Sequence, residues 1–129
     1  MEPTTLPHPH VQSAEQLDHM PALQDFDIVS SIFKLLGDSS RLRIFWLLCH
    51  CEACVINISS LVGMSSPAVS HHLKLLKAGG LISSRRDGKE VYYQAVPTCQ
   101  AETLHHMIEH LVHIACPSSP LRREGTSHD

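Results

Sequence analysis

Residues 64–76 read MSSPAVSHHLKLL, and the two faces of this segment differ in chemistry. A serine followed by proline is typical of a helix start, because the hydroxyl caps free backbone N–H groups and proline fits the first turn. At helical spacing Val69, Leu73 and Leu76 fall on one face, which predicts an inward packing side. The other face carries groups that suit phosphate oxygens and base edges in a DNA major groove. The predicted DNA-contacting residues of this segment are Ser65, Ser66, Ser70, His71, His72 and Lys74.

Three helical patterns precede this segment. Apolar residues recur at helical spacing from about Asp25, and Gly37 ends that first pattern. Asp38 and the two serines after it offer an N-cap for a second helix over about residues 41–49. A short third helix is expected over about residues 56–62. The short turn between the third and fourth helices is typical of a helix-turn-helix.

After residue 80 the pattern changes from helical to strand-like. Two alternating segments flank Asp87 and Gly88, which is a strong signal for a two-residue hairpin. The hairpin carries three basic residues that are predicted to reach neighbouring phosphates. A final helix with an apolar stripe is expected over about residues 98–115. The predicted fold is mainly α with a small β-hairpin, a winged helix-turn-helix in the order α-α-α-α-β-β-α. The three basic residues are Arg85, Arg86 and Lys89.

Length and charge fit one DNA-binding domain. The chain has 129 residues, enough for one ordinary domain. We expect the winged domain over residues 22–116, between flexible tails over residues 1–21 and 117–129. The net charge is −3, yet residues 65–95 hold five basic and two acidic side chains. Because attraction to DNA depends on where positive charge lies, this distribution permits DNA binding.

Other classes of protein lack their sequence signals here. No apolar run approaches the roughly 18 residues of a membrane span, and the first residues do not show the pattern of a signal peptide. We therefore expect a cytoplasmic protein with no membrane partner. The sequence also has no glycine-rich phosphate loop and no zinc-protease motif, so we do not expect an enzyme.

Three segments together resemble one known family. They stand in the order and spacing of the ArsR/SmtB family of transcriptional repressors, and the resemblance covers about residues 22–116. It implies a homodimer held by the first and last helices, which reads an inverted-repeat operator in double-stranded DNA. It also implies repression of an efflux or resistance operon that an inducer relieves. The segments are LLGDSSRLRI (35–44), MSSPAVSHHLKLL (64–76) and RDGKEVYY (86–93).

The apolar stripe on the last helix supports the dimer independently of the resemblance. A winged domain of this size offers that helix little else to bury its stripe against. Packing of the stripe into the core of its own chain is the alternative. The stripe comprises Leu104, Met107, Ile108, Leu111 and Ile114.

A cysteine cluster is one candidate inducer site. Cys49, Cys51 and Cys54 lie within six residues, a poor disulfide framework but a source of soft-metal ligands. The resemblance places Cys54 where the family's helix-three sensors carry a metal-binding cysteine, and the ions that suit thiolates are Zn, Cd, Pb and As(III). His8 and His10 are candidates to complete the site across the dimer. A buried free cysteine is the alternative for Cys49.

The cluster also departs from the family pattern. The family's arsenic sensors place a second cysteine two residues after the first, and Ile56 occupies that position here. Cys49 and Cys51 lie upstream of it instead. Whether they converge on Cys54 is a question of geometry that the sequence leaves open.

The last helix carries an alternative metal site. The resemblance to the family's zinc sensors points to positions 97, 99, 110 and 113, where this chain has Pro97, Cys99, His110 and His113. His110 and His113 share a helix face, but proline has no coordinating side chain. A regulator without a metal site is the remaining alternative. It would respond to thiol oxidation, which exposed clustered cysteines permit, or act without a ligand.

Overall fold

The computed structural model describes residues 7–8 and 18–116, and the chain divides into two units, Met1–Lys34 and Leu35–Asp129. The predicted winged helix-turn-helix, mainly α with a small hairpin, is confirmed. Most of the predicted N-terminal tail, including His10, and the whole C-terminal tail lie outside the described residues. The elements are α1 (Leu23–Leu35), α2 (Ser39–His50), β1 (Ala53–Cys54), α3 (Val55–Val62), α4 (Ser66–Ala78), β2 (Ile82–Asp87), β3 (Glu90–Ala95) and α5 (Cys99–Ala115).

The first helix, α1, begins slightly before the predicted position. The Asp25 carboxylate accepts a hydrogen bond from the Ala22 backbone N–H at 3.2 Å, which satisfies one of the free donors of the first turn. None of the residues of α1 is buried. Phe26 and Phe33 are 48% and 55% exposed. The apolar side chains that the sequence predicted are therefore largely uncovered in a single chain.

The core of the second unit is built mainly by α2, α3 and α4. The predicted inward face of α4 is confirmed, because Val69, Leu73 and Leu76 are all buried. Burial of such side chains is the main favourable contribution to folding. The largest fully buried side chains are Phe45, Ile44, Ile58, Leu73, Leu76, Leu81 and Val69.

A short strand that the sequence did not predict adds to the hairpin. β1 pairs with β3 in an antiparallel arrangement, so the sheet has the order β1-β3-β2. The predicted order of elements did not include this strand. Cys54 pairs with Tyr92 and is buried. A two-residue strand is too short to produce the alternation by which strands are recognised.

The hairpin turns one residue later than predicted. Asp87 pairs with Glu90, so the two turn residues are Gly88 and Lys89 instead of Asp87 and Gly88. Gly88 has a φ of 64°, a left-handed conformation that favours glycine. A glycine at the first turn position with positive φ is typical of the type II′ turns that match the twist of paired strands.

The turn between α3 and α4 sets the position of α4. Gly63 ends α3 in the left-handed conformation with a φ of 69°, as a glycine cap does. Two residues later the Ser65 hydroxyl accepts a hydrogen bond from the Ala68 N–H at 3.3 Å and caps α4. None of the helices described is long and apolar enough to cross a membrane.

Candidate functional site

One face of α4 forms a row of exposed polar side chains, here called the α4 outer row. Its members recur three or four residues apart and lie opposite the buried side chains of the same helix. Hydroxyl, imidazole and ammonium groups therefore face solvent together. The first turn adds backbone N–H groups that can bind an anion. The α4 outer row comprises Ser66, Ser70, His71, Lys74 and Lys77.

Two residues predicted to contact DNA have other contacts. The Ser65 hydroxyl is already engaged as the cap of α4. His72 is half-buried, and its Nδ1 lies 3.4 Å from an Arg41 guanidinium nitrogen at the start of α2. Burial lowers the pKa of His72, although the Asp38 carboxylate opposes that shift. The structure therefore places His72 beside α2 and not in the α4 outer row.

The C-terminal end of α4 is linked to the hairpin. The Lys77 ammonium donates a hydrogen bond to the Ser84 hydroxyl of β2 at 2.6 Å. Near the turn, Arg86 and Lys89 are exposed. Lys77 was not among the predicted DNA-contacting residues, although its spacing of three residues from Lys74 places it on the same helix face.

Arg85 is held by an ion pair within the chain. Its guanidinium donates to both carboxylate oxygens of Glu52, at 2.7 and 2.5 Å, and lies 5.0 Å from the centre of the Tyr92 ring. Bidentate pairs of this kind are the stronger form of a salt bridge. The hydrogen bonds from Arg85 lower the pKa of the Glu52 carboxyl. Glu52 thus competes with a DNA phosphate for the Arg85 guanidinium.

We expect Glu52→Gln to strengthen non-specific binding to DNA several-fold at low salt. Removing the Glu52 charge leaves Arg85 with only the longer ion pair to Asp87 at 3.8 Å, so its guanidinium becomes more available to a phosphate. Each added phosphate contact steepens the salt dependence of log K by about 0.9. The measurement is a titration by fluorescence anisotropy at several salt concentrations. The control Glu102→Gln removes the same charge from exposed α5. Equal slopes for the two variants would contradict the competition of Glu52 with phosphate.

The three clustered cysteines have different environments. Burial, assisted by the negative charge of Glu109, raises the pKa of the Cys49 thiol to about 11. Cys51 is exposed, and its thiol donates to the Leu47 carbonyl at 3.6 Å. Cys54 is buried in β1. Because metals bind thiolates, an ion that binds Cys49 must displace a firmly held proton.

The described residues of one chain do not gather either predicted metal site. The three clustered thiols do not form a group in which one ion could bind, and neither do Cys99, His110 and His113. The last three residues are all exposed on α5. Both metal sites remain predictions that require ligands from a second chain or a rearrangement of this one.

A different set of metal-type ligands does come together where α2 ends beside α5. Among the described residues, the group with ligand atoms within 4.8 Å of one another consists of His50, His105 and Glu109. This group was not predicted from the sequence. The spacing of four residues between His105 and Glu109 was available as a signal. The approach of His50 depends on the packing of α2 near α5 and left no local signal.

Comparison with known proteins places the chain in a family. The profile described as "Bacterial regulatory protein, arsR family" matches residues 38–84. An uncharacterized HTH-type transcriptional regulator of Methanocaldococcus jannaschii is 33% identical, over 57% of this chain and 84% of that protein. The chain belongs to the ArsR/SmtB family. Members of this family are transcriptional regulators and not enzymes. The prediction of a transcriptional regulator is therefore confirmed, and so is the prediction that the chain is not an enzyme.

Two further relatives of this ArsR/SmtB protein are informative. The cadmium resistance transcriptional regulatory protein CadC of Listeria innocua is 45% identical over 74 residues, which are 55% of this chain and 62% of CadC. The chain thus spans less than two thirds of that relative. A homodimeric winged helix-turn-helix DNA-binding domain of Mycobacterium bovis is similar in structure, with a TM-score of 0.59 and 27% identity. That match covers 83% of this chain and 90% of the M. bovis chain.

Proposed function

We propose that this protein is a sequence-specific DNA-binding repressor that acts on an inverted-repeat operator in double-stranded DNA. The α4 outer row is the observation that carries the proposal. It presents Ser66, Ser70, His71 and Lys74 on the exposed side of a helix whose other side is anchored in the core. A recognition helix in a major groove requires base-reading side chains on a rigid, capped support.

The hairpin supplies the contacts that position such a helix. Arg86 and Lys89 are exposed beside the turn, and Lys77 connects the end of α4 to β2. Contacts to phosphates fix register and orientation but carry no direct sequence information. We therefore assign base recognition to the α4 outer row and backbone contacts to the hairpin.

The repressor acts as a homodimer through its first and last helices. The apolar stripe of α5 divides into two parts. Leu104 and Ile108 are buried within the chain, so the alternative of intramolecular packing explains this half. Leu111 and Ile114 are 53% and 60% exposed. The exposed half, together with the uncovered apolar residues of α1, supports a dimer, and the similar M. bovis domain is homodimeric.

We infer further that a thiophilic ion, Zn, Cd, Pb or As(III), releases the repressor from DNA. The support is the likeness to a cadmium resistance regulator and the presence of three cysteines within six residues. Their thiols are not gathered within one chain, so the site requires a second chain or a rearrangement. Cys51 is an exposed thiol, which also favours the alternative of release by oxidation.

A mobility-shift titration on the DNA upstream of the protein's own gene tests the inducer. The protein is kept reduced, and Zn, Cd, Pb and arsenite are added separately. We expect one ion to raise the protein concentration needed for half-saturation by about 10-fold or more. Cys54→Ser is expected to abolish that response, whereas Cys116→Ser, the control at an exposed cysteine, leaves it intact.

The remaining outcomes of this titration separate the candidate sites. A response that survives in Cys54→Ser and disappears in His110→Ala would replace the cysteine cluster with the site on α5. If no ion releases the protein and hydrogen peroxide does, the metal response is wrong and the thiol-redox alternative replaces it. Binding to DNA is measured in every arm, so the DNA-binding proposal is tested separately from the inducer.

A further inference from the structure

We infer that His50, His105 and Glu109 form a binding site for one divalent cation of borderline softness, with Zn²⁺ as the representative ion. His50 is the last residue of α2, and the other two lie one turn apart on α5. Imidazole nitrogens with one carboxylate oxygen are a ligand set that zinc uses in proteins. None of the three belongs to the cysteine cluster or to the predicted site on α5.

The three ligand atoms form a close triangle. His50 Nε2 and Glu109 Oε1 are 2.9 Å apart, His105 Nε2 and Glu109 Oε1 are 2.5 Å apart, and the two Nε2 atoms are 2.9 Å apart. Each Nε2 carries at most one hydrogen, and a carboxylate oxygen carries none. Two hydrogens make at most two ordinary two-centre hydrogen bonds, so one of the three contacts has no hydrogen of its own. A cation at the centre would satisfy all three atoms at once.

The triangle is close to the size that a metal requires. Zinc–nitrogen and zinc–oxygen bonds of about 2.0–2.2 Å hold tetrahedral ligand atoms about 3.3–3.6 Å apart. Each of the three contacts must therefore lengthen by roughly 0.4–1.1 Å. The His50 side chain is 43% exposed, which leaves it room to make this adjustment.

The surroundings favour a formed site over a chance contact. The Trp46 ring contacts the His50 ring at 4.3 Å between centroids with the planes tilted by 45°, and His105 meets the same ring edge-on at 4.7 Å. These contacts restrict the ring orientation. A cavity of about 370 Å³ adjoins the triangle and is lined by both histidines. It provides space for the water or additional ligand that completes four-coordinate zinc when the protein supplies three ligands.

The test is a Co²⁺ titration of the metal-free, reduced full-length protein. Co²⁺ replaces Zn²⁺ in such sites, and its visible absorption reports both the number of ligands and the presence of thiolate. In Cys54→Ser, which lacks a ligand of the cysteine cluster, we expect one Co²⁺ per triangle with four-coordinate absorption and no thiolate band, displaced by Zn²⁺. His105→Gln and Glu109→Gln are each expected to weaken binding by about 100-fold or more.

Matched variants distinguish this site from the others. His106→Gln changes the neighbouring exposed histidine, and Cys54→Ser removes a ligand of the cysteine cluster. Both are expected to keep the Co²⁺ affinity of the unmodified protein. Circular dichroism verifies that each variant is folded. If His105→Gln does not fold, Glu109→Gln alone tests the triangle. The proposal is overturned if the protein binds no Co²⁺, or if both triangle variants bind it as tightly as the unmodified protein. It is also overturned if Cys54→Ser loses Co²⁺ binding. Ion binding is measured without DNA, so the result does not depend on the proposed function.

Discussion

Replacing Ser70 and His71 together with alanine is expected to weaken operator binding by about 100-fold or more. The two residues stand at the middle of the α4 outer row, and both are exposed. Loss of a side chain that contacts a base edge costs both affinity and discrimination between sequences. The fold should not change, because neither residue contributes to the core and alanine favours helix. The measurement is fluorescence anisotropy with operator and with random DNA of equal length.

The comparison of the two DNA samples makes this prediction specific. Affinity for random DNA depends on phosphates, so the double variant should lose much less of it. His106→Ala is the matched control, since it removes an exposed histidine from α5. If the double variant binds operator as tightly as the control does, α4 is not the recognition helix.

Replacing Leu111 and Ile114 together with glutamate is expected to convert the dimer to a monomer. Both side chains are more than half exposed in the single chain, so the substitution should leave the core intact. Burying two unpaired carboxylates at an apolar interface is unfavourable. A monomer engages one half-site without the effective concentration that a second, linked half-site provides, so operator affinity should fall by about 10²–10⁴.

Sedimentation velocity and operator titration together test the second prediction. The matched control is Gln100→Glu with Thr103→Glu, which adds the same charge to exposed positions nearer the start of α5. The control should remain a dimer and bind operator normally. A dimer that persists in Leu111→Glu with Ile114→Glu would exclude the C-terminal half of α5 from the interface.

The sequence predicted those parts of the fold that depend on local signals. Capping residues and apolar spacing located all five helices of the described chain to within a few residues. β1 was missed because two residues have no periodicity. The turn at Gly88 and Lys89 was placed one residue early because strand register depends on pairing between segments.

In the candidate site too, features set by local spacing were predictable and contacts between distant residues were not. The α4 outer row follows from helical spacing within one segment, so it was largely predictable. The contacts of His72 with Arg41 and of Arg85 with Glu52 were not predicted, because these partners lie 31 and 33 residues away in the sequence. The two rings of the proposed cation site are 55 residues apart. Contacts across such separations arise from packing and leave no pattern in the sequence.

The segment between α2 and β1 connects several of these features. His50 contacts Glu109 of α5, and Glu52, two residues later, holds Arg85 of β2. Cys54 follows in β1. An ion bound by His50 or by the cysteines would therefore act on a segment that also positions a basic residue of the hairpin. Coupling between an ion and DNA would in addition require that this segment has two arrangements, which the ion and the DNA favour differently.

Hydroxyl-radical footprinting on the DNA upstream of the protein's own gene tests the proposed DNA-binding function most directly. A dimer with two recognition helices should protect two patches, related by an inverted repeat and separated by about one helical turn or a whole multiple of it. Ser70→Ala with His71→Ala should remove both patches. Uniform weak protection, no greater than on random DNA of the same length, would contradict sequence-specific binding by this protein.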